Sequence, residues 1–383
     1  MKKILIFITA ALLLAGCASP GGEKASPQPE YTAYKDVAER GVWLSFSEIN
    51  SMLKSENGFK AEFLKAVQKC GELGITEMYV HVRAYCDSLY KSEIFPLVSG
   101  AENYDFDIFG YITDVCREKG IAVHAWINPY RVLSSSEDIE KVPQNSPAYV
   151  WLHDSDPAND RNVVRMNGIY LDPSSSEVQR LIISGVKEIC EKYSVAGVHI
   201  DDYFYPTADS AFDAESYAAY REKTENALTL EDWRRSNVNS MITGCYNAVK
   251  AENSSLVFTV SPMASIEKNR DELFCDVKEL IKEGTVDCII PQLYFGYDYP
   301  DDNFKFDTLL KKWEELASLN RNVKLKIGLA TYKIGTDAAP DRDEWQNGTA
   351  VIEKQVSECT ANGSVSGYVF FSYTSLAANN FVF

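Results

Sequence analysis

The sequence predicts an α/β fold, a (β/α)8 TIM barrel that forms a single catalytic-type domain. Short β-rich runs alternate with amphipathic stretches from Arg40 to the end of the chain, which favours parallel strands joined by helical crossovers. The alternation gives eight strands and seven connecting helices, the count of a closed barrel. A length of 383 residues, 45% of them hydrophobic, is enough for one barrel with insertions. A doubly wound open sheet is the alternative, but no glycine-rich nucleotide-binding loop opens any predicted helix.

The predicted elements follow each other in a regular order. The strands are predicted at 40–46, 76–83, 121–131, 195–201, 257–261, 286–294, 324–332 and 367–373. The helices are predicted at 59–72, 106–119 and 175–192, within 213–251, and at 271–282, 305–318 and 349–361. A long loop is expected after the third strand. Because the chain ends soon after the eighth strand, we expect the last helix to be short or absent.

The amino terminus has the pattern of an export signal. Two lysines precede an apolar run, and the run ends in LAGC, with its cysteine at Cys17. LAGC resembles the lipobox of bacterial lipoproteins, which implies cleavage before Cys17 and lipidation of its thiol; a simple secretory signal is the alternative. The predicted organisation is a signal peptide at 1–16, a lipidated cysteine with a flexible tether at 17–34, and the barrel at 35–383. We therefore expect a protein of the cell envelope, anchored by lipid outside the cytoplasmic membrane.

Charge and cysteine content limit the possible partners. A formal net charge of −17 disfavours nucleic acid and anionic polymers, so neutral glycans or net-neutral peptides are the easier substrates. The eight cysteines after Cys17 are scattered, without the paired spacing of a zinc site. We expect mostly free thiols in the core, with one or two disulfides possible. Nothing in the sequence indicates an oligomeric state.

The stretch VAGVHIDDYFYP, at 195–206, carries the strongest functional signal. Alternate residues of a strand share a face, so Asp201 points into the barrel, while Asp202 lies at or beyond the strand end. An isolated pair of aspartates is more often a hydrogen-bonded turn, but glycoside cleavage also needs two carboxyl groups. We predict Asp201 as the nucleophile or base, and Asp202, Asp87 or Glu48 as the proton donor. Because adjacent side chains diverge, Asp201 and Asp202 are not expected to be the working pair by themselves, and Asp202 could instead anchor the loop.

The same alternation assigns other side chains to the barrel interior. These are Tyr79, His81, Arg83, His124, Trp126, Asn128, His199, Ser261, Met263, Gln292, Tyr294, Ala330 and Tyr332. Aromatic side chains crowd the same strand ends, where they would suit the apolar faces of sugar rings. The predicted substrate-binding residues are Arg83, Trp126, Asn128, Tyr130, His199, Tyr203, Gln292, Tyr294 and Tyr332.

Three of the four histidines fall on interior positions of the strands. His81, His124 and His199 could bind a metal together with Asp201, but no pair of histidines has the close spacing that metal sites commonly show on one element. We expect them instead to form a layer that orients Asp201, Arg83 and Asn128. No metal and no cofactor is predicted.

Several motifs together resemble one known family. They are RGVW at 40–43, VRAYCDSLY at 82–90, HAWINPYR at 124–131, YLDP at 170–173, GVHIDDYFYP at 197–206, IIPQLYF at 289–295, IGLATYKIG at 327–335 and GYVFFSY at 367–373. The chain is similar to the bacterial glycosyl-hydrolase-like family ten lipoproteins along nearly all of its length after the tether. The resemblance implies a (β/α)8 glycosidase fold, an envelope location and cleavage of peptidoglycan glycan strands, particularly those stripped of peptides. It also marks Asp87, Asn128, Asp201, Asp202 and Gln292 as motif residues.

The leading hypothesis is a lipid-anchored glycoside hydrolase that acts on peptidoglycan or a related exported polysaccharide through carboxylate acid/base catalysis. Its expected partners are the glycan and, through the lipid, the membrane, with no nucleic acid. A non-catalytic glycan-binding lipoprotein on a barrel scaffold and a metal-dependent hydrolase are the alternatives.

Overall fold

The computed structural model describes residues 39–134, 136–337, 340–379 and 381, so the predicted signal peptide, lipidated Cys17 and tether lie outside the described residues. In chain order the strands are β1 (Glu39–Leu44), β2 (Glu77–Arg83), β3 (Ala122–Ile127), β4 (Arg131–Ser134), β5 (Val163–Arg165), β6 (Gly168–Leu171), β7 (Gly197–Ile200), β8 (Val257–Val260), β9 (Cys288–Ile289), β10 (Lys324–Leu329) and β11 (Gly367–Phe370).

Eight parallel strands close into a barrel. Their order around it is β1, β2, β3, β7, β8, β9, β10 and β11, and β11 pairs back to β1. This order is the chain order, as right-handed crossovers dictate, and it confirms the predicted (β/α)8 barrel over the open sheet. The strands alternate as predicted: in β2, Met78 and Val80 face the surrounding helices, whereas Tyr79 packs inside the barrel against Trp43 and Trp126.

The helices surround the barrel and connect its strands. They are α1 (Phe46–Met52), α2 (Glu56–Glu72), α3 (Ile108–Glu118), α4 (Pro147–His153), α5 (Ser176–Lys192), α6 (Ala214–Lys223), α7 (Leu230–Glu252), α8 (Ile266–Asp271), α9 (Val277–Glu283), α10 (Phe306–Ala317), α11 (Arg342–Gln346), α12 (Ala350–Ala361) and α13 (Tyr373–Ala378). Side-chain caps define several starts: Ser55, Asp107 and Ser175 each accept a hydrogen bond from a backbone N–H in the first turn of the helix that follows. The helix after the eighth strand, α13, is short, as expected.

Several predicted elements differ from the observed ones, and the strands predicted at 40–46, 121–131, 324–332 and 367–373 all end earlier in the structure. The helix predicted at 271–282 is divided into α8 and α9, because the backbone between them turns through Phe274 at a φ of 56° and Asp276 begins a new helix by capping Glu279. The strand predicted at 286–294 shrinks to Cys288–Ile289. Pro291 has no N–H for the ladder, and beyond it Gln292 makes only isolated bridges to Met263 and Gly328.

The long loop expected after the third strand contains structure of its own. Its three short strands form an antiparallel sheet in the order β4, β6, β5. A two-residue turn joins β5 to β6, and its Asn167 adopts a φ of 53°, a left-handed conformation that asparagine tolerates better than most residues. The sheet starts at Arg131, four residues after β3 ends at Ile127, and so lies beside the carboxyl ends of the barrel strands.

One ion cluster is buried at the amino-terminal end of the barrel. There the Nζ of Lys326 donates to Glu77 over 2.5 Å and lies 2.8 Å from Glu39. The Tyr79 hydroxyl also donates to Glu77, at 3.1 Å. Burial alone would lower the pKa of Lys326, but the Glu77 carboxylate holds that pKa well above its ordinary value.

The cysteines are part of the apolar core. All eight in the described part of the chain are buried and free, which confirms the expectation of core thiols and leaves no disulfide among them. None of the helices in the same part of the chain is both long and apolar enough to cross a bilayer.

Candidate active site

A cavity of about 330 Å³ opens at the carboxyl ends of the barrel strands, where enzymes of this fold place their chemistry. Its polar lining consists of Ser45, His81, Arg131, Asp201, Asp202, Ser261 and Gln292. Its aromatic lining consists of Trp43, Phe46, Trp126, Tyr203, Tyr294, Tyr332 and Phe371. The cavity is at the small end of the range of about 300–1,000 Å³ for ligand pockets.

The two aspartates of the DD motif both line this cavity. β7 ends at Ile200, and Asp201 follows it with only 3% of its surface exposed. The backbone N–H of Tyr203 donates to Oδ1 of Asp201 over 3.3 Å, which turns the chain so that Asp202 also faces the cavity. The structure thus brings together two carboxyl groups that were expected to diverge.

The environment of this pair favours protonated carboxyl groups. Burial and then the neighbouring Asp202 raise the pKa of Asp201 well above its ordinary value, although the N–H of Tyr203 opposes the rise. Burial also raises the pKa of Asp202, with the Gln292 amide opposing it. The two acids interact, so they titrate as one unit.

Arg131 is a cavity residue that the sequence reasoning did not single out. It is the first residue of β4, and its guanidinium lies 3.8 Å above the ring of Tyr203 and 5.5 Å from that of Tyr85. Its positive charge lowers the pKa of both aspartates and so opposes part of the rise that burial causes. The sequence did offer one indication of Arg131 as a site residue: it is an arginine that follows an aromatic residue at a predicted strand end, in a chain that is acidic overall.

The other missed residues are Phe46, the first residue of α1, and three residues at the ends of the first and last strands of the barrel. Trp43 and Ser45 occupy alternate positions at the end of β1, and Phe371 directly follows β11. The ring of Phe371 lies 6.1 Å from Trp43 and 5.9 Å from Tyr332. The alternation rule, applied to these two strands as it was to the others, would have identified the three strand-end residues but not Phe46, which begins a helix.

His199 lies beneath the cavity rather than on its wall, and it is fully buried. The indole N–H of Trp43 donates to its Nε2 over 3.0 Å, so Nδ1 carries the proton and donates to the Thr259 hydroxyl over 2.7 Å. Burial lowers the pKa of His199 far below its ordinary value, which keeps the ring neutral. His199 therefore orients Trp43 and has no free nitrogen for a substrate.

The histidines do not converge on one point. His81 stacks on Trp126 with ring centres 3.7 Å apart, at the cavity wall. His124 stacks on Tyr79 at 4.6 Å and lies 3.7 Å from Glu77, towards the opposite end of the barrel. No group of three potential metal ligands occurs among the described residues. The arrangement does not fit the metal site considered as an alternative.

Two of the candidate proton donors lie outside the cavity. Asp87 lines a neighbouring hollow of about 30 Å³ that shares the walls of Phe46 and His81, and burial raises its pKa to about 6. Glu48 forms the capping box of α1 with Ser45. Its other oxygen accepts hydrogen bonds from the Ser372 hydroxyl and the Thr374 backbone, so its carboxylate is fully occupied in joining α1 to α13.

Three predicted binding residues are also placed elsewhere. An irregularity in the β2–β3 register between His81 and Arg83 turns Arg83 away from the barrel interior, and its guanidinium stacks on Phe95 at 3.6 Å. Asn128 is buried and donates to the carbonyl of Ala84 over 3.2 Å. Tyr130 is buried in the core. Of the predicted binding residues, Trp126, Tyr203, Gln292, Tyr294 and Tyr332 line the cavity.

Comparison with known proteins gives a consistent result. The family model described as Glycosyl hydrolase-like 10 matches residues 38–347. The glycosyl hydrolase YngK of Bacillus subtilis (strain 168) is 27% identical over 379 residues, which cover 91% of this chain and 70% of the relative. The glycosyl hydrolase DigH of Escherichia coli (strain K12) is 27% identical over an alignment of 416 residues, covering 97% of this chain and 92% of the relative.

Solved structures agree with the architecture. The PgaB (BpsB) glycoside hydrolase domain from Bordetella bronchiseptica has a TM-score of 0.59 at 13% identity, covering 89% of this chain and 95% of that one. Alpha-L-fucosidase isoenzyme 2 from Paenibacillus thiaminolyticus has a TM-score of 0.53 at 14% identity, covering 88% and 46%. A second family model, the prokaryotic membrane lipoprotein lipid attachment site, matches residues 1–18 and supports anchoring of the chain to a membrane by lipid.

Proposed function

Because the chain belongs to the glycosyl hydrolase-like 10 family and is thus of glycosidase type, we propose that Asp201 and Asp202 hydrolyse a glycosidic bond in this cavity. The observation that carries the proposal is the pair of carboxyl groups after the end of β7, the buried Asp201 and the half-buried Asp202, which line the cavity together with aromatic side chains. Glycosides are cleaved by one group that protonates the leaving oxygen and another that stabilises the positive charge at the sugar carbon.

The pair supplies both functions. Burial raises the pKa of both carboxyl groups, and the neighbouring Asp202 raises that of Asp201 further, so the pair favours one shared proton over two negative charges. Asp202 is the half-buried and therefore more accessible member, so it delivers the shared proton to the leaving oxygen. Asp201, deeper in the barrel, supplies the negative charge.

The aromatic lining supports a sugar as the substrate. Trp126, Tyr294 and Tyr332 present ring faces and edges beside hydrogen-bonding groups, which matches the apolar faces and hydroxyl rims of a pyranose. A lipid-attached enzyme outside the cytoplasmic membrane meets exported glycans, and peptidoglycan strands are the substrate that we favour, with another exported polysaccharide as the alternative.

The test is release of reducing ends from peptide-free glycan strands by the purified full-length protein. Asp201→Asn should lower kcat by about 10²- to 10⁴-fold, the usual contribution of a positioned acid or base. Asp105→Asn, at an exposed position, is the matched control and should keep wild-type activity. Binding of the strands without turnover, equally strong in wild type and Asp201→Asn, would instead support a non-catalytic glycan-binding protein.

A further inference from the structure

We propose that the nucleophile in this reaction is the 2-acetamido group of the substrate itself, so that the enzyme cleaves on the reducing side of a 2-acetamido sugar. This inference rests on the proposed glycosidase function and specifies its substrate class. It follows from two observations: the carboxyl groups that line the cavity lie on one wall, and the opposite wall is lined by aromatic side chains.

Within the described residues, the carboxyl groups that line the cavity are those of Asp201 and Asp202. Glu48 is held by hydrogen bonds from Ser45 and Ser372, and Asp87 lies in the hollow behind Phe46 and His81. Neither reaches a sugar bound in the cavity without a rearrangement of the structure. The reaction therefore has two carboxyl groups available, from consecutive residues.

Both groups come from the same wall. The mechanism with two enzyme carboxyl groups needs them on opposite sides of the scissile bond, about 5–5.5 Å apart for retention or about 6.5–9.5 Å apart for inversion. β7 is the fourth strand around the barrel, and the strand opposite it is the eighth, β11. The opposite wall presents Phe371 after β11, with Trp43 from β1 and Tyr332 after β10 on either side. These aromatic side chains offer no carboxylate nucleophile or base.

A 2-acetamido group supplies the missing nucleophile from within the substrate. Asp202 gives its proton to the glycosidic oxygen while the acetamido carbonyl oxygen bonds to the anomeric carbon and the bond to the leaving group breaks. The Asp201 carboxylate accepts a hydrogen bond from the acetamido N–H and stabilises the positive charge of the bicyclic oxazolinium ion. Asp202 then takes a proton from water, the water oxygen attacks the anomeric carbon, and the ring opens to restore the acetamido group.

Each cycle consumes one water and breaks one glycosidic bond, and the two displacements leave the anomeric configuration retained. The aromatic groups of the cavity wall provide an apolar surface for the acetamido methyl group. Both sugars of a peptidoglycan strand carry this substituent, which connects the inference to the favoured substrate.

The first experiment measures binding without turnover. A thiazoline analogue of the bicyclic ion should bind the full-length protein at least about 100-fold more tightly than N-acetylglucosamine, as expected for an analogue of a high-energy intermediate. Asp201→Asn should lose at least about tenfold of that affinity, since it removes the charge that faces the analogue. Asp105→Asn, the matched control, should bind the analogue like the wild type.

The second experiment measures cleavage. Strands that are chemically N-deacetylated should be cut with kcat reduced by at least about 100-fold, and fresh digests of native strands should show retained configuration by NMR. Inverted products, equal cleavage of deacetylated strands, or a glycosyl adduct on an aspartate would overturn the inference while leaving the glycosidase function intact. Tight, Asp201-dependent thiazoline binding without cleavage of peptidoglycan would uphold the inference and reject peptidoglycan as the substrate.

Discussion

Asp201 and Asp202 occupy an environment that opposes their ionisation, which is useful for catalysis and costly for folding. In the unfolded chain an aspartate ionises with a pKa of about 3.9, whereas burial raises the folded-state pKa of both residues. A carboxyl group whose pKa is raised by folding destabilises the folded state at every pH above its unfolded pKa. The burial that raises these pKa values for catalysis thus also lowers the free energy of unfolding of the protein.

This cost predicts that Asp201→Asn is more stable than the wild type at pH 7. The neutral amide keeps the size of the side chain and removes the buried charge, so the free energy of unfolding should rise by about 0.5–2 kcal/mol. The gain should shrink as the pH falls towards the unfolded pKa of about 3.9, and it should disappear only below that value, where the carboxyl group is protonated in both states. Urea unfolding at pH 7 and pH 4.5 checks this, with Asp105→Asn as the control. A stability at pH 7 equal to or below that of the wild type would contradict it.

For single residues, the sequence predicted the direction in which a side chain points better than it predicted the function of that side chain. Strand alternation placed Asp201 in the cavity together with Trp126 and Tyr294, because that period is a property of every strand. It failed for Arg83, where an irregular register turns the side chain outwards, since such an irregularity depends on the neighbouring strand. It could not foresee that His199 would be bonded to Trp43, a residue 156 positions away.

The loop that follows β7 carries the two aspartates, and a buried ion pair holds its far end. Arg234 of α7 donates from Nε and Nη2 to the two oxygens of Asp213, over 2.9 and 2.5 Å. It also donates to the backbone carbonyls of Ala208 and Asp209. One guanidinium thus joins the helix to several points of the loop, and both charged side chains are fully buried.

Arg234→Met should therefore disturb both stability and catalysis. Removal of one partner leaves the Asp213 charge buried and unpaired, which costs about 3–5 kcal/mol. The released loop should also lower kcat at temperatures where the protein remains folded. Arg235→Met is the matched control: Arg235 pairs with Asp232 and Asp271, which are about half-exposed and stay solvated without it, so this variant should lose much less stability than Arg234→Met. Thermal unfolding and kcat of both variants check this, and equal effects would contradict it.

Helices and strands with a regular spacing of apolar residues were predictable from the sequence. Elements that form only by pairing with residues distant in the sequence were not. The predicted helix at 305–318 and the observed α10 differ by one residue at each end, because its apolar face is continuous. The short sheet of β4, β6 and β5 was missed, since its strands of three or four residues are stabilised mainly by pairing with each other.

The barrel places groups that stabilise the fold at one end of its axis and the candidate active site at the other end. The alternation of strands and helices was sufficient to predict closure, because eight parallel units can bury both faces of their sheet only in a few ways. It did not reveal the ion cluster at the amino-terminal end, since Glu39, Glu77 and Lys326 belong to three strands that only the barrel brings together. The ion cluster that stabilises the fold thus lies at the amino-terminal ends of the strands, and the cavity with the two aspartates lies at their carboxyl ends.

Lys326→Met tests that separation. The substitution leaves Glu77 without its main partner inside the barrel, so the free energy of unfolding should fall by about 3–5 kcal/mol. Lys324→Met, which removes an exposed lysine 3.1 Å from Glu39, is the matched control and should cost no more than about 1 kcal/mol.

The pH dependence of this loss follows from the shifts of the pair. The partners around Glu77 outweigh its burial and hold its pKa below the ordinary value, so its contribution is complete above about pH 4.3 and is lost as the pH falls below that. The pKa of Lys326 is raised, so the contribution persists up to the ordinary lysine pKa of about 10.4. The wild type and Lys326→Met should therefore differ most between these limits and converge in acid.

Because the cluster faces away from the cavity, kcat and its pH profile should stay at wild-type values while the variant is folded. A shifted profile in Lys326→Met would show instead that the charge at one end of the barrel reaches Asp201 and Asp202 at the other.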